Sequence, residues 1–268
     1  MSSLPIGMFD SGVGGLTIMR ELMRQLPNES IIYLADTKRL PYGNHDAETI
    51  IKYSLECSRF LIEQKIKLLI IACNTATSYA IKTLKEKFKI PVIGVIECTV
   101  KKAAFSTGNQ RLAILATEAT LRSKAYEKHI QALLPVSKII SIACPLFVPL
   151  IEEGFHAHPA TQLIVREYLK NLFDQKIDTL LLGCTHYLFL SSMIQNEMGP
   201  EVCLIDSTVS CAECTASTLK EKKLHAHLFN IPSHRLYVSG DPIKFRQISE
   251  KLLDIPIPTI EKITLNRL

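Results

Sequence analysis

Two cysteines stand in matched settings. Residues 65–75 read KIKLLIIACNT and residues 176–186 read KIDTLLLGCTH, so Cys73 and Cys184 lie 111 residues apart, as do the Lys-Ile pairs that open each segment. In each, an apolar run ends in a thiol followed by small polar or imidazole side chains. A single buried cysteine is most often a core residue. Packing does not require the same thiol in the same polar context twice, so the pair points to a site with two similar halves. Two equivalent thiols can form a reversible disulfide, ligate a metal, or act as acid and base on two faces of one substrate. A redox pair usually stands as one Cys-x-x-Cys, with the resolving thiol adjacent. A zinc site takes four ligands at tight spacing. One thiol from each half suits the third option. A thiolate removes a proton from one face, a thiol returns one to the other, and the stereocentre inverts.

Each cysteine is followed by a stretch with helical character, NTATSYAIKTLKEKF after Cys73 and THYLFLSSMI after Cys184. A helix N-terminus favours negative charge, so both thiols are expected to have pKa values lowered toward neutrality. His186, two residues past Cys184, can share the thiol proton or stabilise the thiolate; a helix-start residue bonded to backbone is the plainer alternative. FDSGVGG places Asp10, Ser11 and three glycines where a strand turns into a helix. It is an anion-binding turn or simply a tight turn, and it matches neither Gly-x-Gly-x-x-Gly nor the P-loop. Asp10 would repel a substrate carboxylate but can hold an ammonium or assist a nearby thiol. In PLIEEGF, spacing does not choose between Glu152 and Glu153. Cys211 and Cys214 form a lone Cys-x-x-Cys in a segment that reads as a helix start, which disfavours a metal or redox role. His156 with His158, and His225 with His227, are spaced i, i+2 and read as surface residues.

These residues need elements to position them. Short apolar runs, several rich in β-branched residues, occur at 6–9, 30–35, 68–72, 91–96, 112–116, 139–143, 179–183, 202–205 and 235–239. Stretches with helical spacing separate most of them, such as Leu16, Met19 and Met23, or Ile164, Tyr168 and Leu172. Apolar strands buried on both faces and alternating with helices predict an α/β fold with mainly parallel sheets. Right-handed crossovers put the strand C-termini on one edge, where ligands bind. The residues following the runs are therefore the informative ones: Asp10-Ser11, Asp36-Thr37 with Pro41-Tyr42-Gly43, Cys73-Asn74-Thr75, Thr117 to Thr120, Cys144-Pro145, Cys184-Thr185-His186 and Asp206-Ser207. The order repeats, with each cysteine-bearing strand third in its half. This predicts two pseudo-symmetric lobes, residues 1–97 plus 208–268 and residues 98–207, with the site in the cleft between them.

Composition narrows the function classes. A chain of 268 residues, 47% hydrophobic, can build one large or two ordinary cores. The formal charge of +5 is spread along the chain, and its densest cluster, Lys220, Lys222 and Lys223, is interrupted by Glu221. That reads as a solvated helix face, so no nucleic-acid partner is expected. The eight cysteines form no small disulfide framework. The N-terminal residues do not read as a signal peptide, and no run is long enough for a membrane span. A cytoplasmic protein with reduced thiols and no membrane partner is expected.

FDSGVGG, DTKRLPYG, ACNTAT, ATEATLRSKAY, CPLFVPLIEEG, LLGCTHY and IDS occur here in the order found in bacterial glutamate racemases. The resemblance covers nearly the whole chain. It implies two α/β lobes around a buried site, and cofactor-independent, metal-free racemisation of glutamate that supplies D-glutamate for peptidoglycan. By the same resemblance, Cys73 is the base toward D-glutamate and Cys184 the base toward L-glutamate. Asp10 assists the first thiol; His186 and Glu152 assist the second. Asp10, Ser11, Tyr42, Gly43, Asn74, Thr75, Thr117, Thr120, Thr185 and His186 bind substrate, and the protein is a homodimer. Two positions depart from the family pattern: Leu188 replaces a proline after GCTHY, and Cys98 replaces one after Glu97. Beside this stand a racemase for another acidic amino acid, a cysteine-nucleophile isomerase or hydrolase, the hydrolase not needing a second thiol, and a two-lobe ligand-binding protein, in which the paired thiols would have no purpose.

Overall fold

The computed structural model describes residues 2–253 and 259–265. Met1, 254–258 and 266–268, all within the expected first lobe, lie outside the described residues. The strands are β1 (Ile6–Asp10), β2 (Ile31–Ala35), β3 (Leu68–Ile71), β4 (Val92–Gly94), β5 (Arg111–Ala116), β6 (Lys138–Ala143), β7 (Thr179–Gly183), β8 (Cys203–Ile205), β9 (Arg235–Val238) and β10 (Ile260–Lys262). They form a six-stranded sheet in the order β10-β9-β2-β1-β3-β4 and a four-stranded sheet in the order β6-β5-β7-β8. Every pairing is parallel.

The β2-β1-β3-β4 core of the first sheet has the same order as the whole second sheet. The correspondence extends to single hydrogen bonds. Asp36 N–H donates to Asp10 O at 2.9 Å, and Cys144 N–H donates to Ala116 O at 3.0 Å, each just past the end of its strand. Burial explains the continuous apolar runs: every residue of β1, β2, β3 and β7 is buried, with side chains packed on both sheet faces. Two apolar clusters flank the first sheet and two flank the second. The edge strand β6 is only partly buried.

The expected run 91–96 is strand only over Val92–Gly94; Val95 and Ile96 open the helix Val95–Ser106. Their β-branched side chains are buried in the core, and that burial overrides local strand preference. β10 is too short and too polar to stand out in the sequence; it exists because β9 offers it an edge.

The chain passes between the sheets along two helices. Val95–Ser106 leads from β4 to β5, and Ser207–Glu221 returns from β8 toward β9. The two pack against each other. Among the described residues, no helix is long and apolar enough to cross a membrane.

Candidate active site

β3 delivers Cys73, and the helix Asn74–Lys87 begins directly after it. Cys73 is the N-cap of that helix, its sulfur accepting the Ala76 N–H at 3.4 Å, while its thiol faces the Ser11 hydroxyl at 3.8 Å. The expectation of a lowered pKa does not hold. Burial pushes the Cys73 thiol up to about 12, and the nearby Asp10 carboxyl adds to the rise. The helix end and Ser11 oppose this without overcoming it.

β7 delivers Cys184. The segment after it is not the expected α-helix start but a 3₁₀ turn, Thr185–Leu190, with the α-helix following at Ser191–Met198. The tighter turn sets His186 back beside the cysteine. Cys184 Sγ lies 3.9 Å from His186 Nδ1, and His186 Nε2 lies 2.7 Å from Glu152 Oε1. Burial works against the charged imidazole, but the bonds to Cys184 and Glu152 override it and hold the His186 pKa well above its ordinary range. Glu152 closes the helix Phe147–Glu152. Glu153, the alternative left open by spacing, points to the surface and pairs with Lys244 at 3.2 Å.

Asp10, at the end of β1, stands between the halves. Its carboxylate accepts the Gly12 N–H at 2.9 Å and the Thr185 hydroxyl at 3.1 Å. Burial raises its pKa, while His186, Gly12 and Thr185 act to lower it. The glycines of FDSGVGG serve close approach between the halves. A Cβ on Gly14 would lie 2.4 Å from Thr185 Oγ1, and one on Gly12 would lie 3.0 Å from Glu152 Oε1.

The remaining polar groups converge on the same place. The Thr75, Thr117 and Thr120 hydroxyls form a triangle with edges of 2.9, 3.0 and 2.9 Å. Asn74 accepts the Tyr126 hydroxyl on Oδ1 at 2.7 Å, and its buried Nδ2 has no hydrogen-bond partner, leaving a donor for an acceptor in the cavity. Ser11, Tyr42, Gly43, Cys73, Asn74, Thr75, Thr117, Cys184, Thr185 and His186 all line one small cavity. Its volume is about 20 Å³, room for a water molecule and not for an amino acid. Asp10, Thr120 and Glu152 support it from behind.

Tyr42 contributes less than its hydroxyl suggests. That hydroxyl donates to Asp36 Oδ2 at 2.5 Å, so its proton is committed within the protein and not to a ligand. Asp36 also accepts from Ser239 at 2.7 Å and pairs with Arg39 at 2.6 Å, and Arg39 reaches on to Glu56. This buried network, which anchors the Tyr42-Gly43 loop, was not singled out from sequence, although Asp36 lies just past a strand end. Leu40, Pro41 and Val148 complete the cavity wall; Pro41 follows the second strand run as the sequence suggested, whereas Leu40 and Val148 were not picked out as site residues, being ordinary apolar side chains. Among the described residues, no group of three or more His, Cys, Asp or Glu side chains is placed to hold a metal.

Fold and site together define an α/β protein of two parallel sheets, with one thiol brought from each into a shared polar cavity. The Asp/Glu/hydantoin racemase family profile matches residues 6–215. The glutamate racemase of Syntrophus aciditrophicus is 42% identical over 261 residues, covering 97% of both chains. The crystal structure of glutamate racemase isoform RacE1 from Bacillus anthracis superposes with a TM-score of 0.93 at 35% identity, covering 99% of this chain and 98% of that one. That of the Francisella tularensis glutamate racemase, in complex with D-glutamate, gives 0.92 at 38% identity over 99% of each. This chain belongs to the Asp/Glu/hydantoin racemase family.

Proposed function

We infer that the protein interconverts L- and D-glutamate without a cofactor, by proton transfer at the α-carbon between two cysteines, and so supplies D-glutamate for peptidoglycan synthesis. The observation that carries this reading is the arrival of Cys73 and Cys184, from equivalent strands of two sheets, in one cavity. Near-full-length similarity to glutamate racemases supports the choice of substrate.

In this reading Cys73 is the base toward D-glutamate and Cys184 the base toward L-glutamate. One cysteine begins as thiolate and the other as thiol; each turnover exchanges the roles and leaves the substrate inverted. His186, whose pKa is raised by its bonds to Cys184 and Glu152, stands ready to take or return the Cys184 proton. Burial, Asp10 and Cys184 all raise the Cys73 thiol, and that high pKa identifies the contribution required of substrate. An α-ammonium near Asp10 and Cys73 offsets both negative charges and lowers the cost of ionising the thiol. The hydroxyls of Ser11, Thr75, Thr117, Thr120 and Thr185, with the amide of Asn74, are donors for two carboxylates. The α-proton is far less acidic than a thiol, so the developing carbanion depends on such preorganised donors away from water.

The cavity is too small for glutamate as it stands, so the reading includes opening and closing of two units, residues 1–97 plus 208–268 and residues 98–207. It also includes a homodimer in the cytoplasm, with no nucleic-acid or membrane partner. Incubation of the pure protein with L-glutamate in D2O tests the reaction. Loss of circular dichroism with deuterium entering the α-carbon is expected; folded, reduced protein that gives neither overturns the reading. L-Aspartate run in parallel tests the side-chain length.

A further inference from the structure

Three cysteines unused by this chemistry lie where the two inter-sheet helices meet. Cys98 is on Val95–Ser106; Cys211 and Cys214 are one turn apart on Ser207–Glu221. The two helices pack against each other, and the Cys98 and Cys214 thiols are near enough to shift one another's protonation. Both also line an open cleft of about 620 Å³, together with Lys85, Lys89, Lys101 and Lys222 and a single acid, Glu97. Cys211 is fully buried behind them.

We propose that Cys98 and Cys214 are a reversible dithiol–disulfide pair, oxidised by an anionic low-molecular-weight disulfide in this lysine-lined cleft, which locks the two inter-sheet helices together and switches the enzyme off. Among the described residues, the chain crosses between the sheets along these two helices, so the bond staples the place where an opening would hinge. The inference rests on the racemase reading for its consequence, but not for the bond itself.

The two thiols are already differentiated. The neighbouring Cys98 is the largest influence on Cys214 and lowers its pKa, with Lys101 acting in the same direction against burial. Cys98 is raised, by Cys214 and by burial. Cys214 is also the more accessible of the two. It is therefore the attacking thiolate. Its sulfur displaces one half of the small disulfide as a thiolate and forms a mixed disulfide. Cys98 then gives its proton to the departing thiolate and attacks the Cys214 sulfur, expelling the second half. Two protein thiols are oxidised by two electrons, and one small disulfide is reduced to two thiols. The lysines favour an anionic oxidant by charge.

The test treats the full-length protein with increasing ratios of oxidised to reduced glutathione, followed by acid quench, intact mass and non-reducing peptide mapping. Loss of two hydrogens with a Cys98–Cys214 cross-linked peptide is expected. Racemase activity is expected to fall by about tenfold or more as the peptide appears, and to return with dithiothreitol. C98S is expected to keep its basal activity and to stop at one glutathione on Cys214; C214S is expected to resist both. Absence of the cross-linked peptide overturns the pair, and full activity in cross-linked protein overturns the switch. Because mapping needs no turnover, failure of the racemase reading leaves the first result intact and distinguishable.

Discussion

The Thr185 hydroxyl donates to the Asp10 carboxylate at 3.1 Å, joining the end of β1 in one sheet to the residue after Cys184 in the other. A carboxylate positioned by both halves acts on the Cys73 thiol in one and holds the neighbour of Cys184 in the other. D10N keeps the shape but removes the charge that interacts with Cys73 and weakens acceptance from Thr185. Racemisation is expected to fall by about 10²–10³, mainly in kcat, with the fold intact by circular dichroism.

C73S and C184S are each expected to abolish full racemisation, by about 10⁴ or more, because a serine hydroxyl is a poor base at neutral pH. Each variant should still bind glutamate. Equal residual racemisation in both variants would contradict the two-base assignment.

Much of this site is legible in the sequence because its residues sit just past strand ends. Cys73, Cys184, Asp10, Thr75, Thr117 and His186 all fall there, and runs buried on both faces reveal the strands themselves. Three things were hidden. The 3₁₀ turn after Cys184 has no sequence mark that separates it from an α-helix start. The Cys73 pKa depends on burial in the folded protein, which outweighs the local helix end. The hydrogen bond that commits the Tyr42 hydroxyl proton to Asp36 has no mark in the sequence.

A thiol pushed up to about 12 is mostly protonated at its ordinary value of 9.0. In the unliganded enzyme, Cys73 is therefore expected to resist iodoacetamide through that pH, as followed by peptide mass spectrometry. Rapid labelling at neutral pH would show a thiolate already formed.

The raised His186 pKa carries a sign for stability. A histidine raised by folding stabilises the fold fully below its unfolded value of 6.5, and that contribution fades as pH rises through the folded value. E152Q removes one of the groups that favour the imidazolium. Chemical denaturation should show its largest deficit relative to wild type near or below pH 6.5 and a shrinking deficit at higher pH. A deficit that grows with pH would reverse the assignment of charge.

G14A tests how closely the halves meet. The added methyl would lie 2.4 Å from Thr185 Oγ1 and 2.9 Å from the His186 backbone nitrogen. A loss of about 1–3 kcal/mol in stability is expected, with activity reduced more than that loss explains, because Thr185 and His186 must shift.

The strand order also governs how the molecule is made. All four strands of the second sheet lie between residues 111 and 205, whereas the first sheet takes β9 from Arg235–Val238, beside β2. On the ribosome, the later-starting sheet therefore has all its strands first, while β2 waits with an open edge until the C-terminal segment emerges. A nascent chain stalled before residue 235 carries both cysteines and every cavity residue, yet exposes an unpaired buried-type strand. Catalytic parts and protection from self-association are thus completed at different times in synthesis, and truncation from the C-terminal end is expected to produce aggregation before it removes any part of the chemistry.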